Sequence, residues 1–223
     1  MFRAVMTSMR IDHLVWYTPD LAQGRRHFAS RMDCEPLYGG EHPGEGTANA
    51  VVGLGSETYL EILGRDVNQH ESSLDPEVRA LQGAGLYHWA VGGVDLEALA
   101  GRAARTGLSG GALVPGGRLK PDGSRLDWLC WGLNGHGFGA LVPFFIDWRG
   151  SQHPAKAAPR GGRLAGLALH TPRVAALRQV FDRLDLDIPV VEGAVPQVVA
   201  ELESGKGTTV LTSFTPLPRG YVI

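Results

Sequence analysis

Only two of the 223 residues are cysteine, Cys34 and Cys130. They stand at no metal-ligand spacing, so neither a disulfide framework nor a zinc knuckle organises the chain, and in a reducing compartment they read as free buried thiols. An excess of charge is missing too: 21 basic residues face 23 acidic ones, for a net charge of −2. That balance gives no electrostatic case for nucleic acid or an acidic membrane surface as a partner. No stretch approaches the roughly 20 consecutive apolar residues of a membrane span, and Met1 to Ser8 has neither the apolar core nor the cleavage site of a secretory signal. A cytoplasmic location and a small neutral or modestly charged ligand are expected. Met9 is a natural alternative start, which would make Met1 to Ser8 a disordered or misannotated leader.

What the chain does have is a repeated opening. Arg10 to Asp20 reads RIDHLVWYTPD, a short apolar run rich in strand formers that ends in helix-start residues. Relatives of it stand at Gly85 to Leu96 (GLYHWAVGGVDL) and Ala165 to Val174 (AGLALHTPRV). In the first copy a helix is predicted from about Pro19 to Met32, with Leu21, Phe28 and Met32 on one face. A strand at Cys34 to Tyr38 follows, then a loop at Gly39 to Gly46, and a hairpin of Thr47 to Leu54 with Thr58 to Leu63. The second copy repeats that order through Ala112 to Leu119, Leu126 to Leu133 and Ala140 to Trp148, with Lys120-Pro121-Asp122-Gly123 as a turn. Ser151 to Gly162, polar and holding two prolines, reads as a linker. A third unit repeats the strand, helix and three short strands.

The predicted class is therefore α+β. Two βαβββ modules, 9–66 and 85–150, form one domain, and a third, degenerate module covers 163–216. An open sheet must bury one face, so the first two modules satisfy each other. The third packs either on the flank of that pair or on its own copy in a homodimer.

Alternate strand residues share a face. That rule puts His13 with Val15 and Tyr17, and Asp12 with Leu14 and Trp16 on the other side. Aligned on the strand-to-helix junctions, His88 takes the place of His13, and Gly166 takes it in the third unit. Aligning the closing strands, YLEIL with FIDW, puts Asp147 in the second copy at the place of Glu61 in the first. A carboxylate in an apolar strand is costly unless paired or metal-bound. Histidines with carboxylates are ligands for a divalent transition metal, whereas a single buried histidine is more often a core residue; the repetition of His13 in His88 favours the metal.

IDHLVWYTPDL, HPGEGTANAVVGLG followed by YLEILG, and GGRLKPDG with PFFIDW resemble the vicinal-oxygen-chelate superfamily, and within it a glyoxalase-like domain. The resemblance implies paired modules cupped as a half-barrel around a divalent metal (Fe, Mn, Zn, Ni or Co), chelated by adjacent oxygens of a small-molecule substrate. It carries the metal-ligand roles to His13, Glu61 and His88. Asp147 departs from the glutamate usual at its position, and either ligates through water, acts as a base, or does neither. A metal-dependent lyase, isomerase or ring-cleaving dioxygenase is implied, with Glu61 or Asp147 moving the proton. The alternative is a metal-free protein of the same fold that binds or sequesters a ligand among its tryptophans. His42 and Asn49 flank the expected cavity as substrate contacts, and Arg118 is placed to clamp a substrate carboxylate. Arg125, His27, His70, His136 and His153 read as surface residues.

Overall fold

The structure is a computed structural model describing residues 9–70, 73–120 and 122–220. The proposed leader, Met1 to Ser8, and Pro121 of the predicted turn lie outside the described residues. Each of the first two units gives four strands: β1 (Arg10–Thr18), β2 (Leu37–His42), β3 (Thr47–Gly53) and β4 (Tyr59–Arg65), then β5 (Gly85–Gly92), β6 (Val114–Leu119), β7 (Arg125–Trp131) and β8 (Phe144–Asp147). Helices α1 (Leu21–Ala29) and α3 (Leu96–Arg105) follow β1 and β5, and the short α2 (Pro76–Ala80) lies between the units. No helix among the described residues is long and apolar enough to cross a membrane.

The strands close into a barrel in the order β1-β4-β3-β2-β6-β7-β8-β5, where a cupped half-barrel was expected. The join that closes it is narrow, a single pairing of Glu41 with Leu119 between β2 and β6. The expected loop at Gly39 to Gly46 is in its first half this seam strand. Gly40 sits at φ +129°, and a Cβ there would collide with the Leu119 carbonyl oxygen. A glycine pair that signals a loop in sequence is here what lets two backbones meet.

The other seam is symmetric. β1 pairs antiparallel with β5, His13 opposite Ala90 and Val15 opposite His88, so the two modules are related by a two-fold axis through this ladder. Leu14 and Trp16 point outward and join Phe28 and Met32 in the main core, while Val15, Ala90, Cys130, Phe144 and Ile146 pack inside the barrel. Helix α1 is shorter than predicted. Its N-cap is Asp20, whose side chain accepts from the Gln23 amide, and Thr18 still belongs to β1. The last strand of the second unit shrinks to Phe144–Asp147 because Gly139–Leu141 turns as a 3-10 helix.

The third unit keeps the element order but not the pairing. Its strands are β9 (Arg163–Thr171), β10 (Val190–Glu192), β11 (Gln197–Ser204) and β12 (Gly207–Thr212), with α4 (Val174–Leu184) after β9. The sheet order is β10-β9-β11-β12. Here β10 joins β9 in parallel directly after the helix, whereas β1 takes β4 as its parallel neighbour. It is therefore not a degenerate copy of the same module. Its apolar face is covered within the chain: Leu167, Leu169, Val198, Ala200 and Leu202 share a core with Phe138 and Leu141, and Leu86 of β5 bridges to Ser213. Burial of that face needs no second chain.

The expected linker is also structural. Ala155 and Ala158 pack on Val51 and Tyr59, and Gly53 exchanges backbone hydrogen bonds with Pro159 and Gly161.

Candidate active site

A cavity of about 690 Å³ opens inside the barrel, lined by His13, Val15, His42, Asn49, Tyr59, Glu61, His88, Arg118, Trp128 and Phe144 among others. The predicted His13, His42, Asn49, Glu61, His88 and Arg118 all line it, together with polar residues outside the prediction such as Thr47, Tyr59, Glu77 and Tyr87. Asp147 is missing from the wall. Phe144 and Ile146 take the inward positions of β8, so alternation turns Asp147 away, where its carboxylate accepts from the Arg149 amide and sits 3.8 Å from the Arg149 guanidinium. The placement of Asp147 as the counterpart of Glu61 is corrected by register. His13 and His88 each stand seven residues before an N-cap aspartate, Asp20 and Asp95, which makes Val15 and Ala90 equivalent. Val15 pairs with Glu61, but Ala90 pairs with Phe144. The counterpart of Glu61 is thus Phe144, whose ring packs 5.4 Å from His13 and 6.4 Å from His88.

His13 is held by a neighbour that strict alternation assigns to the opposite face. A β-bulge between Ile11 and His13 breaks the β1–β5 register and turns the Asp12 carboxylate to the His13 ring. Asp12 Oδ1 accepts from His13 Nδ1 at 2.7 Å, while Oδ2 accepts from Trp148 Nε1 at 3.1 Å and from His153 Nε2 at 3.0 Å. His153 Nδ1 in turn accepts from the Ala155 amide, which fixes the proton on Nε2. Gly92 leaves the room: a Cβ there would collide with Asp12 Oδ2. Burial alone would raise the Asp12 pKa, yet the hydrogen bonds donated by His13 and His153 hold it well below the usual carboxylate range. Asp12 is thus an ionised carboxylate, and His13, with Nδ1–H committed to it, turns Nε2 toward the cavity.

That nitrogen lies 3.7 Å from Glu61 Oε2. The other Glu61 oxygen accepts from Asn49 Nδ2 at 2.5 Å and sits 3.8 Å from His42 Nε2, and His42 Nδ1 is 2.9 Å from Thr47 Oγ1. Tyr59 stacks on His13 with ring centroids 4.7 Å apart; burial, then the charges of Glu61 and Asp12, push its phenol well above its ordinary pKa. His88 lies deeper against Tyr87 and Phe144, and burial drives its pKa down to about 3, against a smaller upward pull from Asp75.

The structure does not bring His13, Glu61 and His88 to a common point. Among the described residues no group of three His, Cys, Asp or Glu side chains is arranged to hold a metal ion. Glu61 is engaged by Asn49, and the position that would complete a symmetric set is the hydrocarbon ring of Phe144. The donor set therefore does not fit the divalent metal that the resemblance implied.

Asp12 and His153 are the site residues that sequence reasoning missed, and Trp148 acquires a role it was not given. His153 was read as surface but is only 8 % exposed. The available signal was Asp12 itself, a charge in an apolar strand with no place in water. Arg125, by contrast, is solvated as expected and pairs with Asp127.

The sequence matches the model of a family described as glyoxalase-like domain over residues 11–184. The chain belongs to the glyoxalase-like domain family. The match spans both barrel modules and runs to the end of α4, placing the chain in the vicinal-oxygen-chelate superfamily. No curated protein matches the sequence significantly. Among solved structures, a hypothetical protein from Staphylococcus aureus superposes with a TM-score of 0.64 at 15% identity, covering 96% of this chain and 88% of that one; this likeness shows the fold. Methylmalonyl-CoA epimerase from Mycobacterium tuberculosis (TM-score 0.44, 16% identity, 66% and 90% covered) and a mutant of 4-hydroxymandelate synthase from Streptomyces coelicolor (0.49, 16%, 93% and 63%) are more distant.

Proposed function

We propose that this member of the family is an enzyme that moves a proton on a small oxygenated metabolite, as an isomerase, epimerase or lyase does. The observation that carries the proposal is the Asp12–His13–Glu61 array at the cavity wall: an oriented imidazole with its basic nitrogen free, 3.7 Å from a second proton carrier. His13 Nε2 takes the proton from a carbon beside a carbonyl, and Asp12 stabilises the imidazolium that forms. Glu61, steadied by Asn49, stands 3.7 Å from His13 Nε2, beyond direct hydrogen-bond contact, so the proton that His13 takes returns to carbon from His13 itself or by way of a substrate oxygen bridging the two. Tyr59 roofs the imidazole and keeps water off it.

The test is solvent exchange. A panel of 2-hydroxy and 2-oxo acids, aldehydes and thioesters, incubated with the protein in D2O, is followed by NMR for deuterium at carbon. The expected result is enzyme-dependent labelling of at least one compound, lost in His13→Asn and Glu61→Gln. Labelling that survives in both variants contradicts the assignment.

A second reading, sequestration of an apolar ligand, draws on the aromatic wall of Tyr59, Trp128 and Phe144. It predicts tight binding with no exchange.

A further inference from the structure

Arg118 is the most unusual residue of the cavity. It is on β6, only 5 % exposed, and its Nη1 is buried without a hydrogen-bond partner. No carboxylate among the described residues lies within ion-pair distance of it, although Glu61 lines the same cavity. Burying part of a guanidinium with no counter-charge beside it is costly, and a fold tolerates it where a ligand supplies the counter-charge. The fold also makes room for it. Gly39, across the β2–β6 seam, has no Cβ because one would press on Arg118 Nη1 and Asn49 Oδ1, and that Asn49 oxygen is itself buried and unpartnered.

We infer that the cavity takes a small monocarboxylate with an apolar, preferably aromatic, body, and that Arg118 seats the carboxylate. The inference rests on the site being one for small-molecule chemistry, as proposed above, and adds the substrate class. Of the two arginines in the cavity lining Arg118 is buried and Arg219 exposed, and one deep cation balances one negative charge; a phosphate dianion would bring a second into a cavity that already holds the Glu61 carboxylate. A planar guanidinium fork also matches a carboxylate in a bidentate contact. The apolar body has a matching surface in Val15, Leu63, Trp128, Phe144 and Ile146, and the cavity volume is that of sites for compact organic ligands.

Calorimetric titration of the full chain with phenylacetate, 2-phenylacetamide and phenyl phosphate tests this. Phenylacetate is expected to bind saturably, the neutral amide and the phosphate at least about tenfold more weakly. Arg118→Met is expected to lose at least about tenfold in phenylacetate affinity, with Arg118→Lys between. Because the substitution removes an unpaired buried charge, Arg118→Met should melt at or above the wild-type temperature, which separates lost binding from lost folding. Absence of saturable phenylacetate binding, equal binding of the amide, or unchanged affinity in Arg118→Met overturns the assignment. Tighter binding of phenyl phosphate overturns it in favour of a phosphate ligand. His13→Asn should keep phenylacetate affinity within a few-fold while losing deuterium exchange. Binding without exchange in the wild type therefore removes the proton-transfer proposal alone, and exchange on neutral carbonyl compounds without carboxylate binding removes the substrate class alone.

Discussion

Asp12 accepts a hydrogen bond from His13 Nδ1 at 2.7 Å, although the two are adjacent in a strand and strict alternation would turn them to opposite faces. A carboxylate can only accept here, so the contact decides which imidazole nitrogen faces the cavity. Asp12→Asn preserves shape but removes the charge that stabilises the imidazolium and allows the opposite tautomer. Any proton-transfer activity should fall by about 10²-fold or more, with substrate affinity little changed; steady-state kinetics on the labelled compound separate the two.

His153 should act through Asp12. His153→Leu removes one of three donors to the carboxylate, so Asp12 should titrate higher and its charge, shared with fewer donors, should bear more strongly on the His13 Nδ1–H. The pH profile of the rate is expected to shift while the cavity and fold persist. An unchanged profile would mean that the 151–162 segment only packs.

Acid should weaken the fold through two groups of the same sign. Asp12 has its folded pKa depressed by His13 and His153, so its contribution is present above the ordinary carboxylate pKa and is lost as pH falls toward the lower folded value. His88, ordinarily near 6.5, is pushed down to about 3 by burial. Between those values the unfolded chain binds a proton that the folded chain refuses. Stability should therefore drop by up to about 1.4 kcal/mol per pH unit between pH 6 and pH 4 from this residue alone. Denaturant unfolding across that range, compared with His88→Leu, checks it: the variant should show a flatter curve.

Phe144 stands at the two-fold counterpart of Glu61. Wild-type protein is expected to show no change in melting temperature with Mn, Fe, Co, Ni or Zn. Phe144→Glu brings a second carboxylate between His13 and His88; it should melt lower alone and regain stability with one of those ions by mass action. Thermal melts with and without chelator read both effects. Metal-dependent stabilisation of the wild type would show that the donors converge after all.

The barrel seam should be intolerant of side chains. Gly40→Ala introduces a Cβ against the Leu119 carbonyl at a positive φ, and a loss of about 2 kcal/mol or more is expected. Gly44, also at positive φ but with open space around it, should cost about 1 kcal/mol when changed to Ala. Paired urea titrations make the comparison.

Much of the fold was legible because it is carried by local signals. The strand-to-helix openings and the helices that follow them come from periodicity and capping chemistry within one element. Barrel closure and the pairing of the third unit are non-local, and no periodicity within β2 or β9 reports which strand lies beside it. Most of the candidate site was legible through the repetition of His13 in His88. Asp147 misled because matching one acid to another ignored register, which gives the place to Phe144. Asp12 was assigned to the wrong face because a single-residue bulge, created where β1 meets β5, leaves no mark on composition.

The central claim is that Asp12 holds the His13 Nδ1–H, so that Nε2 is the nitrogen His13 presents to the cavity. Long-range 15N–1H NMR of the histidine-labelled protein at neutral pH measures this directly, with the His13 resonance assigned from the His13→Asn spectrum. The expected result is an Nδ1 that stays protonated and pyrrole-like, with Nε2 the nitrogen that exchanges its proton, and loss of the pattern in Asp12→Asn. A bare Nδ1, or an Nε2 shift that moves on adding a divalent metal, would contradict it.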